Sequence, residues 1–170
     1  MTDVEALFRQ YHAPLVRYLT RRLGDRDWAE EIAQETFVRA LRQPILTNER
    51  AWIFAVATNL VRDEARKDIR RRRHLELLSA EAKAERGDPP IDELERAEER
   101  SLARRAVEML SERDREALLM KEEGLDYHEI AEALELSVAS VGTTLSRARR
   151  RLVEAYEELR AKEDGGRRTG

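Results

Sequence analysis

The chain contains no cysteine. That excludes disulfides, thiolate nucleophiles and cysteine zinc sites, and it makes a reducing, cytoplasmic setting the default expectation. Glycine and proline are scarce, at 7 and 4 of 170 residues, and no stretch alternates apolar and polar residues long enough to suggest a sheet. Aromatic residues make up only 5%. No apolar run approaches the ~20 residues that span a bilayer. The acidic start Met1-Thr2-Asp3-Val4-Glu5 lacks the apolar core of a signal peptide. Catalytic signatures are lacking as well. There is no glycine-rich phosphate loop and no nucleophile elbow, and His12, His74 and His128 lie far apart in sequence. His128-Glu129-Ile130-Ala131-Glu132 begins like a zincin helix but has Glu132 where the second histidine ligand would stand. No enzyme, metal or cofactor is expected.

What the chain has in abundance is charge. Asp, Glu, Lys and Arg make up 39% of it, and 32 basic against 35 acidic side chains leave a net charge of −3. A total near zero argues against nucleic acid, but the distribution is uneven. Residues 1–75 hold 15 Lys and Arg against 11 Asp and Glu, residues 76–101 hold 4 against 9, and residues 102–170 hold 13 against 15. Such asymmetry is more informative about partners than the sum is.

Hydrophobic spacing predicts helices nearly throughout. A first helix is expected over 3–22, with Leu7, Tyr11, Leu15, Tyr18 and Leu19 on one stripe and Gly24 as its C-terminal cap. A second, over 27–42, has the cleanest period, with Ala29, Ile32, Ala33, Thr36, Phe37, Ala40 and Leu41 on one face. A third is expected from about Arg50 to Arg73, opening on an apolar run that includes Trp52 and ending in basic residues. Gly87-Asp88-Pro89-Pro90 then breaks the chain, and a helix restarts near Asp92. Further helices follow over 94–109, 112–122 (capped by Ser111), 127–134 and 138–160. The expected organisation is all-α: two small helical domains, 1–75 and 102–160, joined by a flexible acidic linker over 76–101, with a disordered tail over 161–170.

Three patterns carry functional information. Residues 126–151 have the spacing of a helix-turn-helix: Ile130, Ala131 and Leu134 on the inner face of one helix, Leu136 in the turn, and Val141, Leu145, Ala148 and Leu152 on the inner face of the next. Residues 139, 140, 143, 146, 147 and 150 would face a major groove, and Arg147, Arg149, Arg150 and Arg151 would suit phosphate. A plain helical hairpin with a solvated arginine face is the alternative. The stretch Arg62–Arg73 holds seven basic residues against three acids, which fits either solvated surface or a grip on nucleic-acid backbone. The polar face of the second helix carries Asp27, Glu30, Glu31, Gln34, Glu35 and Val38, a stripe that repels DNA and suits either solvent or a basic protein partner.

With these pieces in place, the chain resembles the extracytoplasmic-function (ECF) group of sigma-70 family RNA polymerase sigma factors, over about residues 3–73 and 102–156. Asp27 to Ala40 looks like the region 2 helix that binds the β′ clamp helices of the polymerase, Arg50 to Asp63 is similar to the helix that melts and reads the −10 element, and residues 126–152 look like the region 4 helix-turn-helix that reads the −35 element. The resemblance implies a core-polymerase surface of Asp27, Glu30, Glu31, Gln34, Glu35 and Val38. It implies a −10 surface of Asn59, Arg62, Asp63, Arg66, Lys67 and Arg70, beside a base pocket formed partly by the loop Pro44–Glu49. It implies −35 contacts from Ser137, Ala139, Ser140, Thr143, Thr144, Ser146, Arg147 and Arg150. The helix carrying Leu118, Leu119 and Met120 would pack the second domain and help hold the β flap. The partners implied are core polymerase, promoter DNA and an anti-sigma factor. Departures fall in the recognition helix, where Gly142 and Thr144 replace residues that are often basic in the group, and in the turn, where Glu135 stands in place of a frequent glycine. They imply a −35 preference unlike the group's common one. A stand-alone helix-turn-helix regulator is the alternative function.

Overall fold

The computed structural model describes residues 2–65 and 91–168, and among these residues it contains seven helices and no strand. Helix α1 spans Val4–Leu23, α2 Arg26–Ala40 and α3 Glu49–Ala65. In the C-terminal unit, α4 spans Ile91–Glu108, α5 Glu112–Glu122, α6 Tyr127–Leu134 and α7 Val138–Arg168. No described helix is long and apolar enough to cross a membrane.

Short polar side chains set where these helices begin. The carboxylates of Asp3 and Asp25 accept from the backbone N–H of Ala6 and Trp28, and the Ser111 hydroxyl accepts from that of Asp114, so each satisfies a donor that the first turn leaves open. Gly24 ends α1 in the left-handed conformation at φ 73°, and its N–H donates to the Thr20 carbonyl. Pro14 lies inside α1, where it removes one backbone hydrogen bond. The helix runs on because Leu15, Val16, Tyr18 and Leu19, just beyond it, are buried.

In the N-terminal unit α1 packs on α2, and α3 lies against both. The predicted apolar seam of α2 is buried from Trp28 to Ala40, and the Thr36 hydroxyl donates back to the Ile32 carbonyl instead of facing the core unsatisfied. At the centre Tyr18 stacks obliquely on Phe54 and shares a 2.7 Å hydrogen bond with Thr58. Burial pushes the Tyr18 hydroxyl well above its ordinary range. Trp52 is half-buried against this core.

The C-terminal unit is built on α7, which packs against α4, α5 and α6. Helix α4 begins at Ile91, in line with the restart expected near Asp92, whereas the tail expected to be disordered is helical through Arg168. The reason is tertiary support: Arg105 pairs with Glu163 at 3.1 Å and Arg167 with Glu98 at 2.7 Å, linking the end of α7 to α4. Sequence periodicity places each domain separately, but the structure packs them together. α1 meets α5, α3 meets α6, and one apolar cluster runs from Leu7 to Leu145 through both units.

Candidate nucleic-acid and polymerase interfaces

All six residues of the α2 stripe, Asp27, Glu30, Glu31, Gln34, Glu35 and Val38, are exposed on the face opposite the buried seam. Glu30 pairs with Arg26 at 3.3 Å and Glu35 with Arg39 at 3.2 Å, both one turn away. Exposed pairs of this kind add only tenths of a kcal/mol, so the face keeps its acidic character toward any partner. Val38, Leu41 and Ile45 add exposed apolar surface beyond the acids. Phe8 is 46% exposed as well, stacked on His12 and edge-on to Phe37. A carboxylate row ending in exposed apolar side chains can dock a basic, partly apolar protein surface.

On α3, Asn59 and Asp63 are exposed. Arg62 is not directed to solvent as the −10 reading requires. Its guanidinium donates to Glu116 at 3.0 Å and lies 3.7 Å from Glu112, both on α5. A guanidinium this close to a fully buried carboxylate is held by the opposing charge, and nothing in the local sequence around Arg62 reveals that. Arg66, Lys67 and Arg70 lie outside the described residues. The loop before α3 does border a cleft of about 360 Å³, lined by Tyr11, Leu46, Thr47, Asn48 and Arg50 and closed on one side by Glu129 of α6. Its size lies within the range of small-ligand sites. Burial, with the neighbouring Glu49, pushes the Tyr11 hydroxyl above its usual value.

The helix-turn-helix is present in α6 and α7. Asp126 and Glu129 form a reciprocal capping box at the start of α6: the Asp126 carboxylate accepts from the Glu129 N–H at 2.8 Å, and the Glu129 carboxylate accepts from the Asp126 N–H at 3.1 Å. Glu135 makes the turn at φ 56°, and the Ser137 hydroxyl accepts from the Ser140 N–H at 3.1 Å to open α7. Ser137, Ala139, Ser140, Thr143, Ser146 and Arg150 are exposed, on the side of α7 away from its buried Val141, Leu145 and Ala148. Such a face can enter a major groove.

Two members of the predicted −35 set are placed differently. Thr144 is buried at 5% exposure, on the inner face of α7 beside Leu145. Arg147 turns back onto α5, where it donates through Nη2 at 2.6 Å and through Nε at 3.2 Å to the fully buried Asp114, which also takes Arg151 at 3.2 Å. The arginine cluster looks uncancelled in the sequence, but α5 supplies the missing acid from more than thirty positions away. Burial pushes the Asp114 carboxyl up, and the hydrogen bonds and charge of Arg147, with Ser111 and Arg151, outweigh burial and hold it below its ordinary value. Arg149 and Arg150 remain exposed for phosphate.

The sequence reading missed the residues at the seam between the units. Arg50 grips Glu129 through two hydrogen bonds of 2.7 Å, Arg22 reaches Glu112 at 2.9 Å, Arg17 reaches Glu123 at 3.2 Å, and the Asn48 amide donates to Glu132 at 2.8 Å. One signal was available: Glu116 falls among the inward positions of α5, beside Ala117, Leu119 and Met120, where an acid requires a partner. Among the described residues no group of three or more His, Asp or Glu is placed to hold a metal ion.

Two family models match this chain, Sigma-70 region 2 over residues 7–73 and Sigma-70, region 4 over residues 100–152. The RNA polymerase sigma factor YlaC of Bacillus subtilis is 30% identical over 95% of this chain and 96% of its own length. The ECF RNA polymerase sigma factor SigL of Mycobacterium tuberculosis is 32% identical over 92% of this chain and 90% of its own. Among solved structures, the sigma factor RpoE of Bartonella quintana, crystallised with the anti-sigma factor NepR, matches with a TM-score of 0.64 at 22% identity. That match covers 92% of this chain and 98% of RpoE.

Proposed function

The chain belongs to the sigma-70 family of RNA polymerase sigma factors, through both its region 2 and its region 4, and from that membership we propose that it binds core RNA polymerase and directs it to specific promoters. The observation that carries this reading is the presence of both regions, in order, in one chain. A stand-alone regulator needs only the helix-turn-helix.

Each surface then has a role. The α2 face from Asp27 to Val38, acidic with an apolar end, docks on the polymerase clamp, and its charge keeps that face off DNA. Asn59 and Asp63, with Arg66, Lys67 and Arg70 further along the chain, face the melted −10 strand. The cleft beside Thr47 and Tyr11 accepts a base unstacked from that strand, with the neutral Tyr11 ring as a stacking surface. Ser137, Ala139, Ser140, Thr143, Ser146 and Arg150 face the −35 duplex, with Arg149 on phosphate. Asp114, Arg147 and Arg151 position α7 against α5 and leave base reading to the exposed hydroxyls and Arg150. The chemistry belongs to the polymerase; the chain supplies binding and melting and acts in the cytoplasm. That RpoE of Bartonella quintana was crystallised with the anti-sigma factor NepR supports a protein inhibitor for this chain as well.

Reconstitution tests the reading. Purified chain with core polymerase should start transcripts at defined promoters of its source genome, and Glu35→Lys on the α2 face should abolish them. Tight duplex binding without polymerase and no transcript with it would instead indicate the stand-alone regulator.

A further inference from the structure

We propose that the groove between α1 and the helices α4, α5 and α7 binds a small anionic amphiphile, a single apolar chain carrying a carboxylate or phosphate head. The groove shares no residue with the α2, −10 and −35 surfaces, and the inference goes beyond the sigma-factor reading without depending on it.

The groove encloses about 690 Å³, inside the range of small-ligand sites. Its inner wall is aliphatic: Leu119 is buried, and Val107, Leu118 and Leu152 are half-buried. The Thr20 hydroxyl, on the α1 side, already donates to the Val16 carbonyl at 2.7 Å. Such a wall offers no aromatic face on which a base could stack. It suits a flexible hydrocarbon chain, whose removal from water drives its own binding.

The edge of the groove is cationic and unmatched. Arg21 of α1 and Arg100 and Arg104 of α4 are exposed there, and among the described residues no side-chain hydrogen bond or ion pair engages them. Their sequence neighbours behave differently. Arg22 reaches Glu112 at 2.9 Å, and Arg105 reaches Glu163 at 3.1 Å. Glu122 is the one acid among the described lining residues, so the edge keeps an excess of positive charge. Arg96, Arg100 and Arg104 also stand four residues apart in a row on α4, and like charges at that spacing repel. The lining residues Arg100, Ala103, Arg104 and Val107 fall at i, i+3, i+4 and i+7, so one stripe of α4 carries both the charge and the apolar surface. An anionic head relieves the repulsion and accepts paired hydrogen bonds from a guanidinium, while its chain covers the aliphatic wall.

Isothermal titration calorimetry of the full chain tests this with decanoate and decyl phosphate, both kept below micelle formation. The controls are acetate, which is the head alone, and decyltrimethylammonium, which has the same chain on a cation. One decanoate or decyl phosphate should bind per chain, at least about tenfold tighter than either control, with the negative heat-capacity change that marks apolar burial. The tighter of the two identifies the head group. Arg100→Glu with Arg104→Glu should weaken binding at least about tenfold. Ala103→Trp, which fills the groove from an exposed helical position, should abolish it. Arg42→Glu with Arg160→Glu makes the same charge change at exposed positions outside the groove and should leave binding intact. Circular dichroism checks that each variant keeps its helices. The inference is overturned by no saturable binding, by acetate competing as well as decanoate, by equal binding of the cationic chain, or by a loss shared with the Arg42 and Arg160 variant. It is also overturned if sedimentation shows a dimer that Ala103→Trp dissociates, because a second copy then occupies the groove. No polymerase or DNA enters the measurement, so its failure is distinct from failure of the transcription test.

Discussion

Gly142 lies inside the recognition helix, where a side chain would favour helix, and Glu135 makes the preceding turn at φ 56°, where glycine is the easier residue. A Cβ at position 142 would meet Tyr127 Cε2 at 3.6 Å, an ordinary contact. Gly142→Ala should therefore stabilise the C-terminal unit by about 1 kcal/mol, seen as a higher Tm. Glu135→Gly should gain up to about 1 kcal/mol by relieving the left-handed backbone, less what the freer unfolded chain gives back. Asp114 behaves in the opposite way, since its environment already favours the native form. Its carboxyl is held below the ordinary 3.8, so its contribution is present above that pH and fades as pH falls through the folded-state value. Circular dichroism across an acid titration should show that loss, and Asp114→Asn should flatten it.

Among the elements, α5 anchors α7. Asp114→Ala removes the charge-assisted hydrogen bonds that Arg147 and Arg151 make to it and should cost about 1.5–3 kcal/mol in denaturant unfolding, since the arginines left behind are partly solvated. The last turns of α7 contribute far less. Arg167–Glu98 is an exposed pair, so removing residues 165–170 should cost under about 1 kcal/mol. Helix positions were largely legible from spacing and caps, because both are properties of residues three or four apart. The seam of α2 and the caps Gly24 and Ser111 are of that kind. The exposed α2 stripe follows from the same period, since burying one face of a helix exposes the other. The direction of Arg147 was not legible, because its fate depends on Asp114, thirty-three positions away on another helix.

On the scale of the molecule, the −3 total resolves into two facing surfaces of opposite sign, not into isolated charged segments. Coupling through the shared core predicts that the parent chain unfolds in one calorimetric transition at low salt. Opening the seam with Glu112→Lys and Glu132→Lys should split that transition into two.

The sequence by itself determined the helices, their caps, the acidic face of α2 and the family, because periodicity and motif order are local and survive without coordinates. Only the tertiary structure decided which charges are available. Arg17, Arg22, Arg50, Arg62 and Arg147 each meet a carboxylate between 33 and 106 positions away. The physical reason is that a charge in water is nearly free of its neighbours, whereas one brought against another helix in a desolvated seam takes its partner from whatever the fold places there.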